Sequence, residues 1–127
     1  MRFKNPELDL ITERIIKCVY KVSNTLGAGF LERVYENALI IELNKEGLKF
    51  QQQAPVEVLY DEQTVGLYYA DILVEDKVIF ELKTVRIFED IHLAQCLNYL
   101  KATNLKVCLL INFAMPKVKI KRIVNNY

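Results

Sequence analysis

The segment Leu105–Ile111 reads LKVCLLI, apolar at nearly every position. Successive side chains of a strand point to opposite faces, so such a run predicts an interior strand covered above and below. A helical pattern precedes it, from about Ile91 to Ala102, with Leu93, Cys96, Leu97 and Leu100 as its apolar positions. A last strand follows, from about Val118 to Val124. A helix lying between strands of one sheet points to a mixed sheet flanked by helices.

The first part of the chain supplies more helix. Asn5-Pro6-Glu7 reads as an N-cap, a proline at the first helical position and an acid in the first turn. The stripe Leu8, Ile11, Ile15, Val19, Val22 and Leu26 continues that helix to Gly27. A second helix is predicted from about Phe30 to Glu46, with Leu31, Val34, Tyr35, Ala38, Leu39 and Leu43 inward and Gly47 as its stop. From Leu48 to Thr84 the pattern becomes β-branched and aromatic alternation, with breaks at Ala54-Pro55, Asp61-Glu62-Gln63 and Glu75-Asp76-Lys77. That is a meander of three or four strands; with four, the order is ααββββαββ, an α/β fold. A length of 127 residues, 52% of them hydrophobic, predicts a single domain over residues 1–127 with a core that needs neither disulfides nor structural metal.

The amino terminus, MRFKNPELDL, lacks the apolar stretch and cleavage site of a leader, and no run is long enough to span a bilayer, so the expectation is a soluble cytoplasmic protein. Cys18, Cys96 and Cys108 are odd in number, far apart and set in apolar periodic segments, which predicts buried free thiols. The net charge of +1 argues against coating nucleic acid by bulk electrostatics and leaves an enzyme open. Lys117, Lys119 and Lys121 alternate onto one strand face beside Arg122, as a phosphate-binding stripe or as lysines that guard a solvated strand against aggregation.

Charged residues interrupt the meander in one place. With Glu75-Asp76-Lys77 as the tip of a hairpin centred on Asp76, Val74 pairs with Val78, Leu73 with Ile79, Ile72 with Phe80, and Asp71 with Glu81. Opposed residues in an antiparallel pair have Cβ atoms roughly 4.5–5.5 Å apart, close enough for two carboxylates to hold one cation. Lys83, two residues beyond Glu81, projects from the same face. The surrounding positions are apolar, and like charges opposed at the edge of a buried region require a cation or the lysine to compensate them. Mg²⁺ suits such oxygen ligands, together with water and substrate phosphate. Glu-x-Lys alone is common, and a one-residue change in the loop would turn Asp71 away.

Several motifs occur together in order: Gly29-Phe30-Leu31-Glu32-Arg33-Val34-Tyr35, Ala70-Asp71, Glu81-Leu82-Lys83, His92-Leu93-Ala94-Gln95 with Asn98-Tyr99-Leu100, and Leu110-Ile111-Asn112-Phe113. Over nearly its whole length the chain resembles the GxxExxY proteins of the PD-(D/E)XK nuclease superfamily. That resemblance implies a restriction-endonuclease-like core, with Asp71, Glu81 and the Leu82 carbonyl as metal ligands and Lys83 positioning or activating water. It also implies that Gln95 supports the site or touches the phosphate backbone. Ala70 stands at the superfamily's namesake proline, and Tyr69 where relatives carry an arginine.

Glu32 invites a reading of its own, because Tyr35, Leu39 and Leu43 place it beside an apolar stripe. It serves either as a third acid or a partner to Lys83, or as a first-turn acid favoured by the helix dipole. Gln95 and Tyr99 lie one turn apart with His92 on the adjacent face, so the three could line one surface; Tyr99 reads first as core, and His92 as an ordinary hydrogen-bonding residue before a catalytic base. Tyr60, Tyr68 and Tyr69 offer base stacking or core packing. The leading expectation is a Mg²⁺- or Mn²⁺-dependent nuclease acting on nucleic acid, DNA by default, with a homodimer compatible with so small a chain. The alternatives are a non-catalytic nucleic-acid or protein interaction module, and a hydrolase of a small phosphorylated metabolite.

Overall fold

The computed structural model describes residues 5–87 and 89–127. The first four residues, part of the segment read above for a leader, lie outside that description. Helices α1 (Pro6–Leu26) and α2 (Glu32–Lys45) lead into strands β1 (Phe50–Tyr60), β2 (Gln63–Val74) and β3 (Val78–Lys83). Helix α3 (Asp90–Thr103) then connects to β4 (Val107–Asn112) and β5 (Lys119–Val124). The strands form one sheet in the order β1-β2-β3-β4-β5. Among the described residues only β3 and β4 pair in parallel, joined by the crossover through α3 that a parallel pair requires.

Three strands, not the four of the order ααββββαββ, precede α3. The expected break at Ala54-Pro55 is absent, and Pro55 pairs with Tyr69 inside a continuous β1. β1 is an edge of the sheet, and an edge strand tolerates proline because alternate N–H groups point away from the ladder.

β4 is buried at every position, and its residues divide between two cores. Val107, Leu109 and Ile111 pack with Ile15 and Val19 of α1 and with Tyr35, Leu39 and Leu43 of α2. Cys108 and Leu110 pack with Cys96, Tyr99 and Leu100 of α3 on the other face. Two positions expected to face inward do not: Leu31 is 79% exposed and Val34 38%. Leu31 precedes α2 in extended conformation, so the buried stripe of that helix begins at Tyr35.

One residue re-aims the outer half of the β1–β2 hairpin. Gln53 has φ 50, a left-handed conformation uncommon outside glycine. The pairs Gln52↔Ile72 and Ala54↔Ala70 keep a common register across it, leaving Gln53 opposite Asp71. Strict alternation would send Gln52 and Gln53 to opposite faces, yet both side chains donate to Glu36. Before the kink, Ile72 belongs to the core under α1 and α2. Beyond it, Val56 and Ala70 belong to the core under α3.

Candidate metal centre

Strands β2 and β3 pair as Val74↔Val78, Leu73↔Ile79 and Ile72↔Phe80, the register expected from a loop centred on Asp76. At the next step the ladder opens. β3 stays with β4 as far as Lys83↔Asn112, whereas β2 continues with β1 past the kink at Gln53. Side chains close the gap: the Asp71 N–H donates to Glu81 Oε2 at 2.8 Å, and the Leu82 N–H donates to Asp71 Oδ2 at 2.7 Å. One oxygen of each carboxylate thus replaces a ladder carbonyl, satisfying a backbone donor that the parting strands would otherwise strand.

The Leu82 carbonyl shares this opening. Lys83 C=O accepts from the Phe113 N–H at 3.0 Å, so the polar groups of residue 83 face β4. Polar groups alternate along a parallel strand, and those of Leu82 therefore face the β2 side, beside Asp71.

Glu81 is only 3% exposed. Burial, and secondarily the charge of Asp71, push its carboxyl up to about 8. Asp71 is also raised, first by burial; the Leu82 N–H opposes that, the charges of Glu36 and Glu32 add to it, and the Lys83 charge relieves it. Glu81 buried and Asp71 half-buried, each accepting from a backbone N–H of the opposite strand and both resisting ionisation, form a site that a cation would stabilise. Among the described residues no three His, Cys, Asp or Glu side chains gather as a ready-made cage. The available donors are two carboxylates and a carbonyl, hard oxygen ligands that fit a divalent cation able to retain water.

The glycine-to-tyrosine motif shapes the approach to this centre. Tyr35, fully buried, stacks on Phe113 with ring centroids 4.4 Å apart. Its hydroxyl donates to the Gly27 carbonyl at 2.6 Å and accepts from the Phe30 N–H at 3.2 Å. That clamp holds the turn in which Gly29 adopts φ 112, a conformation that disfavours side chains. Glu32, the first residue of α2, is thereby brought across the end of β3, where its Oε2 accepts from the Thr84 N–H at 3.2 Å. Glu32 thus binds the backbone next to Lys83, and the two form no ion pair among the described residues.

Glu36, which sequence reasoning passed over, lies one helical turn after Glu32 and is 4% exposed. It accepts from Gln52 Nε2 at 2.8 Å, and its charge acts on Asp71. The i, i+4 spacing from Glu32 was the available signal. Asn112 was noted only as part of a motif. Buried at the end of β4, it donates to the Val85 carbonyl at 2.7 Å and accepts from the Val85 and Ala114 N–H groups, which ties down the chain leaving Lys83.

From the other face, Gln95 Nε2 reaches the Tyr99 hydroxyl at 3.2 Å. Burial, and then the charges of Glu81 and Asp71, push that hydroxyl up to about 12. Tyr99 is thus a core residue that also senses the acids, and Gln95 stands behind it. His92 Nδ1 accepts from the Glu89 N–H at 3.0 Å, a capping interaction at the start of α3. Cys18, Cys96 and Cys108 are buried and free. Lys117, Lys119 and Lys121 are exposed on or beside β5, while Arg122 is engaged by Asp9 at 2.7 Å.

A mixed sheet with helices on both faces, carrying an acid on each of β2 and β3 where those two strands part, defines a restriction-endonuclease-like fold. Residues 9–123 match the sequence pattern of the PD-(D/E)XK nuclease superfamily, and the chain belongs to that superfamily. Among solved structures it resembles the one described as the crystal structure of SSO0001, with a TM-score of 0.53, 15% sequence identity and coverage of 75% of this chain. The match spans about half of that protein, 51% of its length, and at this identity it speaks to the fold alone. No curated protein matches the chain. No helix among the described residues is long and apolar enough to cross a membrane.

Proposed function

We propose that this chain is a Mg²⁺- or Mn²⁺-dependent nuclease of the GxxExxY group that hydrolyses phosphodiester bonds in nucleic acid, DNA in preference to RNA. The observation that carries this reading is the meeting of Asp71 and Glu81 where β2 and β3 part, with the Leu82 carbonyl in the same opening and Lys83 close enough for its charge to act on both acids. Asp71, Glu81 and the Leu82 carbonyl would hold the metal. When bound, such a cation polarises the scissile phosphate and acidifies water. The Lys83 ammonium donates to the attacking water or to a phosphate oxygen and balances negative charge that builds up there. Glu32 holds the Thr84 N–H and so the exit of β3. Gln95 supports the site from α3 through Tyr99.

The direct test is cleavage of single- and double-stranded DNA and RNA with Mg²⁺ or Mn²⁺. Asp71→Ala and Lys83→Ala are each expected to lower the rate at least about 100-fold, the usual scale for losing a group that stabilises transition-state charge. No cleavage by the natural sequence, or undiminished cleavage by Asp71→Ala, would overturn the reading.

A second reading rests on the same hydrogen bonds. Each carboxylate already satisfies a backbone donor, so the pair would also serve as a structural clasp in a non-catalytic interaction module. Calorimetric titration with Mg²⁺ separates the two: the nuclease binds the ion and loses it in Glu81→Ala, and the module gives no heat.

A further inference from the structure

Between α3 and the outer half of the β1–β2 hairpin runs an open groove of about 750 Å³, within the range of roughly 300–1,000 Å³ typical of small-molecule sites. Val58, Gly66 and Tyr68 line it from the hairpin, and Gln95, Tyr99 and Lys101 from the helix. The groove joins the acid centre through packing: Tyr99 shares one core with Ala70, the residue immediately before Asp71.

Three of its properties describe an occupant. Tyr68 is 52% exposed and stands 6.0 Å from the ring of Tyr99, so it offers an aromatic face that the core has not consumed. Gly66 lies inside a strand, where glycine is disfavoured, and its backbone is outside the left-handed region that would demand glycine. A Cβ there would meet the Tyr68 ring at 3.6 Å, so what glycine supplies is open floor beside that ring. The lining includes a cation, Lys101, and the amides of Gln95 and Asn98, and no carboxylate. A flat aromatic group with hydrogen-bonding edges on a polyanionic chain matches all three.

We propose that this groove receives an unpaired nucleobase of the substrate, stacked on Tyr68, and that the substrate class is single-stranded or locally unpaired nucleic acid. The inference rests on the nuclease reading and deepens it. A base inside a duplex is stacked on its neighbours and reaches such a groove only after leaving the helix. An unpaired strand offers its bases at no such cost.

Fluorescence anisotropy in EDTA separates binding from cleavage. The probes are a labelled single strand, its duplex and a base-free sugar-phosphate strand of the same length, each as DNA and, for the first two, as RNA. The single strand is expected to bind tightest. Tyr68→Ala and Gly66→Val should each weaken it by about 5- to 150-fold, the factor corresponding to the loss of one stacked base, and leave the base-free strand unaffected. Tyr68→Phe should retain binding. Tyr68 is half exposed and a Cβ at Gly66 makes only ordinary contacts, so both variants should fold, which thermal melting checks. Equal binding of base-bearing and base-free strands, tighter binding of duplex, or a change in oligomeric state without loss of binding would overturn the proposal. Cleavage with Mg²⁺ is scored separately. Base-dependent binding without cleavage sinks the nuclease reading alone, and cleavage insensitive to both groove variants sinks the groove alone.

Discussion

Glu81→Gln should make the metal-free protein more stable in alkali and unchanged in acid. The Glu81 carboxyl is pushed up to about 8 from an ordinary 4.5 by burial and then by Asp71. The folded state therefore holds a proton that the unfolded state releases once the pH passes 4.5. Stability falls as pH rises between those values, because the unfolded chain binds fewer protons there. At about 1.4 kcal/mol per pH unit, the full interval corresponds to a cost on the order of 5 kcal/mol, shared with Asp71 because the pair titrates together. Glutamine mimics the protonated acid, and its carbonyl oxygen can still accept from the Asp71 N–H. Urea denaturation in EDTA at about pH 5, 7 and 9 should show the variant matching the natural protein at the lowest pH and exceeding it by about 2–4 kcal/mol at the highest. Adding Mg²⁺ at the highest pH should stabilise the natural protein and not the variant, by the usual mass-action gain for a ligand of the folded state. A natural protein as stable at pH 9 as at pH 5, with no advantage to Glu81→Gln, would refute the claim that this acid is buried against its charge.

Tyr35→Phe removes the hydroxyl that clamps Gly27 and Phe30; a loss of about 1–2 kcal/mol is expected, with faster amide exchange at Phe30. Asn112→Ala breaks three hydrogen bonds to Val85 and Ala114 and should cost about 2–4 kcal/mol, read by chemical denaturation, with the Val85 amide losing protection first. Gln53→Val places a β-branched residue at φ 50 and should destabilise by about 1–3 kcal/mol, whereas Gln53→Gly, which adopts that conformation freely, should stay within about 1 kcal/mol of the natural sequence. Equal effects of valine and glycine would show that the kink is not held in the left-handed region.

Much of this fold was legible because local signals agree with it. Pro6 opens α1, although the Asn5 side chain donates to the Tyr127 carbonyl and does not cap the helix; Gly47 follows α2, and Glu75-Asp76-Lys77 sets the register of β2 on β3 by simple counting. The apolar run at β4 announced a strand covered on both faces. Pro55 misled, since a proline reads as a break until its strand is known to be an edge. Leu31 misled too, since a periodic stripe does not reveal which residue is the extended N-cap.

The residues at Asp71, Glu81 and Lys83 are where the two kinds of information divide. Hairpin counting brings the acids opposite one another from sequence alone, because side-chain direction along a strand has a fixed period of two. Only the tertiary structure shows that the ladder opens at that pair, because opening depends on competition: β4 keeps β3, and β1, kinked at Gln53, carries β2 away. The same competition turns Val56 and Ala70 toward α3, brings Glu36 toward the acids and leaves Gly66 and Tyr68 facing a groove. Distant partners decide those placements, and no window of sequence contains both members of the contact.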